Sequence, residues 1–323
     1  MTERPGIRQT LMKSIVSALG PVIGLIAVYL FFVWRAPASF SSLGNLQTIA
    51  RQSTVVGIAS LGMTLVIIAG GIDLSVGSTI ALTTVMLAWL LDPGGSRPIE
   101  AAIGGIAAAA LVGWIIGALI TKMRMVPFIV TLGMMLLVRG VAKGIAGEQK
   151  IDAPMTWLNQ LLAAGRSWHW PPGVWLMLIL ALAVAGMLRY TAFGRHIFAV
   201  GSNEQTARLC GVQVGQVKTL VYTLSGALAG IAGLMQFSRL TVGDPTVAIG
   251  KELDVIAAVV IGGGSLSGGK GSILGSIVGA LIMTVIRSGC AQMGISNWKQ
   301  EIITGIIIVV AVALDQLRQR RTT

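Results

Sequence analysis

Asp73 is a carboxylate beside a glycine-rich interruption of a long apolar run, where an ionisable side chain is unusual. Gly70 and Gly71 precede it, and Ser75 follows it. One interpretation is a polar group on the route of a transported solute, because ionisable residues inside a membrane usually serve function. The other is an N-cap, in which Asp73 accepts a free backbone N–H of a helix running from Leu74. We favour the cap, and the two roles are compatible because a capped half-helix can line a cavity.

Two glycine-rich breaks, at residues 70–78 and 262–272, look like rough copies of each other. Each follows one apolar run and leads directly into another. Irregular backbone at membrane depth is tolerated only where protein or a water-filled cavity satisfies its polar groups. Matched breaks in two halves of a chain point to a transport path. The candidate path or gate residues are therefore Gly70, Gly71, Asp73, Ser75, Gly262, Gly263, Gly264 and Ser265.

The residue types needed for catalysis or metal binding do not cluster in this sequence. The two histidines, His169 and His196, lie in loops, and neither Cys210 nor Cys290 has neighbours at metal-ligand spacing. The stretch from Gly264 to Lys270 resembles the start of a P-loop and also an ATPase signature. It lacks the Ser or Thr after the lysine and any strand–loop–helix context. We expect no enzymatic activity, no metal and no cofactor in this chain, and no disulfide, because the two cysteines are predicted on opposite membrane faces.

The composition is that of a membrane protein. Of the 323 residues, 54% are hydrophobic and only 11% are charged, whereas soluble domains carry about 25% charged residues. The net charge of +12 falls mainly in short segments between apolar runs and at both ends. That distribution suits anionic lipid headgroups and does not predict nucleic-acid binding. The first apolar run, near 20 residues, is long enough to be a retained span rather than a cleaved signal.

The apolar runs predict a single all-α membrane domain over residues 1–323, with about ten spans and both termini in the cytoplasm. Residues 1–13 are then a cytoplasmic tail, 189–217 a cytoplasmic loop and 143–172 an external loop. Two of the predicted spans, 79–91 and 253–261, are too short to cross about 30 Å alone. Both adjoin a break, so we expect them to complete one another. The predicted spans are 14–34, 48–69, 79–91, 101–121, 126–142, 173–188, 218–236, 253–261, 272–287 and 301–315.

Short local signals predict structure inside these elements. Three Gly-x-x-x-Gly pairs, at 113/117, 226/230 and 275/279, predict close helix packing. In the cytoplasmic loop, Ser202 or Asn203 is placed to N-cap a short helix through Cys210, with Gly211 ending it. A helix that short is not stable alone in water, so we expect it to pack against another protein.

Three separated motifs in residues 45–315 resemble those of ribose-type sugar ABC transporter permeases. The first runs from Gly62-Met63-Thr64-Leu65-Val66 into Gly70-Gly71-Ile72-Asp73-Leu74-Ser75-Val76-Gly77-Ser78. The second comprises Gly194-Arg195-His196, then Ala199-Val200-Gly201, Asn203-Glu204, Ala207-Arg208-Leu209 and Gly211-Val212. The third comprises Glu252-Leu253-Asp254, Ile256-Ala257-Ala258-Val259-Val260-Ile261-Gly262-Gly263 and Ser265-Leu266. Many relatives have Glu-Ala-Ala or Glu-Glu-Ala-Ala where this chain has Glu204-Gln205-Thr206-Ala207. This departure leaves the frame of Ala207-Arg208-Leu209 and Gly211 intact.

The resemblance implies the membrane subunit of an ATP-driven sugar importer in the bacterial cytoplasmic (inner) membrane. It implies as partners a second permease copy or homologous permease, an ABC ATPase subunit that binds the ATP, and an external sugar-binding protein. It also implies that the loop helix sits in a groove of the ATPase. The coupling residues it assigns here are Arg195, Asn203, Glu204, Ala207, Arg208 and Gly211.

Other functions stay open at the level of sequence. A branched-chain amino acid permease of the related ABC class is the nearest, although such proteins show an Asn-Phe-Ala-His-type sequence where this chain has Asp73-Leu74-Ser75-Val76. A proton-coupled secondary transporter needs buried carboxylates in mid-span, for which Asp73 is the one candidate. A passive channel gives no reason for the capped helix at 203–211. The sequence does not name the sugar.

Overall fold

The computed structural model describes residues 7–91, 97–163 and 170–320 and shows an all-α protein. Residues 1–6 of the predicted cytoplasmic tail, and Trp168 and His169 of the external loop, lie outside the described residues. Twelve α-helices occur within the described ranges. They are α1 Ile7–Arg35, α2 Leu43–Ile68, α3 Val76–Leu90, α4 Pro98–Lys122, α5 Pro127–Ile145, α6 Pro172–Tyr190, α7 Ala192–Ser202, α8 Glu204–Leu209, α9 Val214–Leu240, α10 Lys251–Ile261, α11 Ile273–Gln292 and α12 Asn297–Arg320.

Ten of these helices coincide with the ten predicted spans, and their ends follow local chemistry. Proline occupies the first position of α4, α5 and α6, where its missing N–H costs nothing. Ser42 caps α2 by accepting the N–H of Asn45, and Ser272 caps α11 by accepting the N–H of Gly275. Short 3-10 turns lie at Ala38–Ser41 and Trp157–Gln160. Two short antiparallel strands, β1 Ile151–Asp152 and β2 Val242–Gly243, pair outside the helices.

Seven helices of the described ranges are long and apolar enough to cross a membrane. They are Leu43–Ile68, Pro98–Lys122, Pro127–Ile145, Pro172–Tyr190, Val214–Leu240, Ile273–Gln292 and Asn297–Leu317. The apolar segments Gly20–Arg35 and Val76–Leu90 are shorter, and α10 has only 11 residues. The chain is thus an all-α membrane protein, while the count of about ten spans and the cytoplasmic placement of both termini remain predictions.

Helices α2 and α9 form the centre of the bundle, and glycines bring their neighbours close. A β-carbon at Gly113 of α4 would overlap the carbonyl oxygen of Tyr222 in α9, and one at Gly226 would overlap that of Ala109. In the same way Gly279 of α11 lies against the backbone of α10 at Ala258. The predicted packing role of the Gly-x-x-x-Gly pairs is confirmed, because only a residue without a side chain allows these backbones to touch.

Candidate functional site

The first break joins α2 to α3 through a tight reversal. Gly70 has a φ of +80°, a left-handed conformation that favours glycine, and the N–H of Gly71 returns to the carbonyl of Val66 at 2.9 Å. Helix α3 then begins at Val76, with Ser75 as its N-cap, rather than at Leu74 as expected. Helix α3 thus starts two residues later than the N-cap interpretation of Asp73 requires, and three residues before the predicted span at 79–91.

Asp73 is buried and bonds to Ser75 twice. Its Oδ1 accepts the backbone N–H of Ser75 at 2.9 Å and the hydroxyl of Ser75 at 2.6 Å. The side chain of Asp73 thus closes a turn with Ser75. Asp73 lies two residues before the N-cap of α3, which is Ser75. The N-cap interpretation of Asp73 is therefore wrong, because Asp73 bonds to Ser75 before the helix starts and no side chain caps α3. A role of Asp73 in the transport path stays a prediction.

Polar groups line the protein interior behind the first break. The hydroxyl of Tyr222 lies against Gly71, and Thr131 of α5 donates to the carbonyl of Ile72 at 3.2 Å. Within the described residues, the hydroxyls of Tyr222, Ser225 and Ser78 are buried without a hydrogen-bond partner. Such groups are costly in an apolar interior, so this region is more polar than helix packing requires.

The second break ends α10 and leads into α11. The N–H groups of Gly263 and Gly264 return to the carbonyls of Val260 and Val259, at 2.9 and 2.8 Å, and Gly263 has a φ of +92°. Gly262 packs back to back with Gly275, and Ser265 is buried. Lys270 is exposed, as predicted for a turn between two helices.

The two breaks touch each other and the end of α7. The N–H of Gly269 donates to the carbonyl of Ile68 at 2.8 Å. A β-carbon at Gly201 would overlap that same carbonyl oxygen and would lie 2.7 Å from the nitrogen of Gly269. A β-carbon at Gly268 would lie 3.0 Å from the α-carbon of Gly70. We call Gly70, Gly201, Gly268 and Gly269 the glycine junction, where three backbone segments meet without intervening side chains.

The loop at 189–217, predicted to be cytoplasmic, holds two helices where the sequence predicted one. Asn203 ends α7 and N-caps α8, because its Oδ1 accepts the N–H of Thr206 at 2.9 Å. Gly211 follows α8 with a φ of +83°. The predicted cap and stop are therefore present. Helix α7 was missed, although Thr191 as a cap and the apolar residues 193, 197 and 200 at helical spacing were a usable signal.

Helix α8 is anchored on one side and exposed on the other. Ala207 is buried, while Leu209 is 88% exposed and Arg208 is exposed as well. Glu204 pairs with Lys218 of α9 at 2.6 Å and with Arg208 at 3.1 Å. The hydrogen bond from Lys218 lowers the pKa of Glu204, so this carboxylate is charged at neutral pH. Arg195 lies exposed on α7. The candidate coupling residues thus lie on the consecutive helices α7 and α8, at Asn203 between them and at Gly211 after them.

Residues 241–250, which lie between the predicted spans 218–236 and 253–261, pack back into the bundle. Gly243 packs beside Ala88 near the end of α3, and Asp244 donates its N–H to Thr84 at 3.3 Å. Further along, Ala248 and Glu252 pack against Gly77 near the start of α3. Seven residues of helix separate Thr84 from Gly77, so the segment descends about 10 Å along α3.

The starts of the two half-length helices α3 and α10 consequently meet. Arg139 of α5 donates from Nη1 to the carbonyls of Pro245 at 3.0 Å and Val247 at 2.7 Å, which satisfies backbone groups of the descending segment. The starts of the two short segments are in contact, and the expectation that together they complete a span stays a prediction. The signal for the re-entry was Gly243, Pro245 and Gly250, turn residues between two apolar helices.

Comparisons with known proteins place the chain among transport permeases. Residues 45–312 match a protein family described as branched-chain amino acid transport system / permease component. The chain is 40% identical to a ribose import permease protein of Escherichia coli strain K12, over 87% of this chain and 88% of the relative. It is 37% identical to a ribose import permease protein of Bacillus subtilis strain 168, over 94% of each.

A further relative is a xylose transport system permease protein of Escherichia coli strain K12, 32% identical over 93% of this chain and 92% of the relative. No solved structure matches the chain. The relatives and the membrane-spanning helices together identify a multi-pass permease of the bacterial cytoplasmic membrane.

Proposed function

The chain belongs to the family of transport-system permease components, and on that premise we propose that it is the membrane subunit of an ATP-driven monosaccharide importer. A separate ATPase subunit hydrolyses ATP and docks on helices α7 and α8. A second permease completes the path, and an external binding protein delivers the sugar. Relatives named for ribose import and for xylose transport support a sugar as the cargo.

The glycine junction is the single observation that carries the coupling part of this proposal. Helix α8 is joined to α7 by one residue, Asn203, and α7 ends at Gly201 and Ser202 in direct contact with both breaks. Backbone against backbone leaves no flexible side chain to absorb a displacement, and packed protein transmits strain. A movement of α8 driven by an ATPase would therefore reach both breaks together.

The shape and charge of α8 also suit docking into a groove. The helix has six residues, too few to persist in isolation, and is held by Ala207 and by the Glu204–Lys218 pair. The exposed side chain of Leu209 is available as an apolar anchor at its end. A helix held to its own protein on one side, with an exposed apolar side chain at its end, is the arrangement expected of an element that binds in a partner's groove.

The experiment is reconstitution of this chain with its partner ATPase and binding protein in proteoliposomes. We expect ATP hydrolysis to be stimulated by the sugar-loaded binding protein and labelled pentose to accumulate inside. Stimulation and uptake with leucine or valine instead would assign the chain to amino acid import, as the family description allows. Uptake that needs no ATPase subunit would contradict the proposal and favour a secondary transporter or a channel.

A further inference from the structure

Five charged residues gather where the starts of α3 and α10 meet. They are Arg139 of α5, Lys251, Glu252 and Asp254 of α10, and Arg287 of α11. Helix α10 has 11 residues and therefore rises about 16 Å, roughly half of a 30 Å hydrocarbon layer. Charged groups at such depth are costly, and each needs either a partner or a function.

Asp254 has its partners. Its side chain is 1% exposed, and its Oδ1 accepts from Arg287 at 2.6 and 3.2 Å while its Oδ2 accepts from Lys251 at 3.1 Å. A buried carboxylate held by two cations is compensated, and removal of one partner would leave an unpaired charge. This triplet is explained by structure alone.

Glu252 differs from Asp254 in that half of its carboxylate is unpaired. Its Oε1 accepts the N–H of Gly250 at 3.2 Å, which fixes the side chain. Its Oε2 is buried against Gly77 and has no hydrogen-bond partner in the described part of the chain. Leaving a buried acceptor of a charged group unbonded costs more than a neutral hydrogen bond contributes. Packing therefore does not explain why a glutamate is present here.

Arg139 lies in the same region with hydrogen-bonding capacity to spare. Both of its hydrogen bonds in the described residues come from Nη1, and a guanidinium has five N–H donors. It interacts electrostatically with Glu252, but the two form no ion pair within the described ranges. A carboxylate acceptor and a guanidinium donor thus stand near each other without satisfying each other.

Two apolar side chains near Glu252 lie on the surface of the described chain. Ile249, three residues before Glu252, is 71% exposed, and Leu253, the next residue after it, is 47% exposed. Irregular backbone with charged side chains at this depth is expected to border a water-filled path rather than lipid.

We propose that Glu252 and Arg139 form a hydroxyl-binding station for the transported monosaccharide, part-way along the path and closed in this conformation. The inference rests on the proposed function. A sugar hydroxyl both donates and accepts, so it pairs with a free carboxylate oxygen and with free guanidinium N–H groups. In the competing explanation Glu252 only complements the positive N-terminus of α3 and fastens the two half-helices together.

Thiol accessibility during turnover separates these explanations. The variant Glu252→Cys is made in a background with Cys210→Ser and Cys290→Ala, and is treated from outside with a negatively charged, membrane-impermeant methanethiosulfonate. Opening of the path during ATP-driven turnover should raise the modification rate by at least about tenfold over the resting complex, since a minor state is typically 10% populated or less. The matched control is Val255→Cys, three residues along the same helix and fully buried, which should stay unreactive in every state.

A second variant, Glu252→Gln, covers the case in which the cysteine variant does not fold. The amide retains an acceptor for Gly250 and removes the charge. We expect uptake to fall about tenfold or more, because a hydrogen bond to a charged group is lost, while the loaded binding protein still stimulates ATP hydrolysis. Three results would contradict the proposed binding role of Glu252 and Arg139. They are no modification of the introduced thiol in a folded complex, a parallel loss of uptake and stimulation in Glu252→Gln, and normal uptake by Glu252→Gln. Absence of stimulation in the unaltered complex would instead contradict the proposed function.

Discussion

The backbone N–H of Gly269 donates a hydrogen bond to the carbonyl of Ile68 at 2.8 Å, and this bond joins the second glycine-rich break to the last residue of α2, just before the first break. The residues are 201 positions apart in sequence. Gly201, at the end of α7, packs on the same carbonyl oxygen. A β-carbon at Gly268 would lie 3.0 Å from the α-carbon of Gly70, so the two breaks form one structural unit, and the end of α7 is part of it.

Gly201→Ala should disrupt this unit. The new β-carbon would overlap the carbonyl of Ile68, so the backbone must separate at a cost of about 1–3 kcal/mol. We expect at least tenfold lower uptake from complexes that still assemble with the ATPase, measured in proteoliposomes. Gly186→Ala in α6 is the control, since nothing lies within 4 Å of its β-carbon position. Equal uptake by the two variants would show that the junction does not transmit movement.

Glu204→Gln should weaken coupling by releasing α8 from Lys218. Stimulation of ATP hydrolysis by the binding protein should fall severalfold, whereas Glu100→Gln, which removes an exposed ion pair with Arg97, should have no effect. Because the pKa of Glu204 is lowered, its carboxylate is fully charged at any pH above the ordinary pKa of a glutamate. Its ion pairs are lost only as the pH falls through the lowered pKa. Uptake should therefore show no titration of this group between pH 6 and 8, and a Glu204-dependent step in that range would contradict the assignment.

Asp73→Asn should retain most uptake, and Asp73→Leu should lose folding. The Oδ1 of an asparagine still accepts from the N–H and hydroxyl of Ser75, whereas leucine leaves both donors buried without a partner, at about 1–3 kcal/mol. Expression, detergent stability and uptake are compared for both variants. A stable but inactive asparagine variant would assign Asp73 a charge-dependent step in transport.

The two native cysteines test the topology. Cys210 is exposed after α8, and Cys290 is buried in α11. A membrane-impermeant thiol reagent should modify Cys210 in inverted vesicles and not in intact cells, if the 189–217 loop is cytoplasmic. Cys290 serves as the internal control and should not react from either side. Modification of Cys210 from outside intact cells would reverse the predicted orientation.

Sequence alone was sufficient wherever the physical cause lies within a few residues. Asn203 caps α8 and Gly211 ends it, as the pattern predicted, because a cap reaches an N–H only two or three positions away. The ten helical segments and the membrane class follow from apolar run length, which is equally local. The interpretation of Asp73 as the N-cap of a helix from Leu74 was wrong, because an aspartate that closes its own turn looks the same in sequence as one at an N-cap.

Only the tertiary structure decided which breaks meet and what lies between them. Ile68, Gly201 and Gly269 are far apart in the chain, and nothing in their local composition states that their backbones touch. The same holds for the re-entry of residues 241–250, which depends on Arg139 bonding to carbonyls more than 100 residues away. Contacts of this kind arise from how the helices pack together. Only the three-dimensional structure therefore shows that Glu252 packs against Gly77 and that its Oε2 has no hydrogen-bond partner in the described part of the chain.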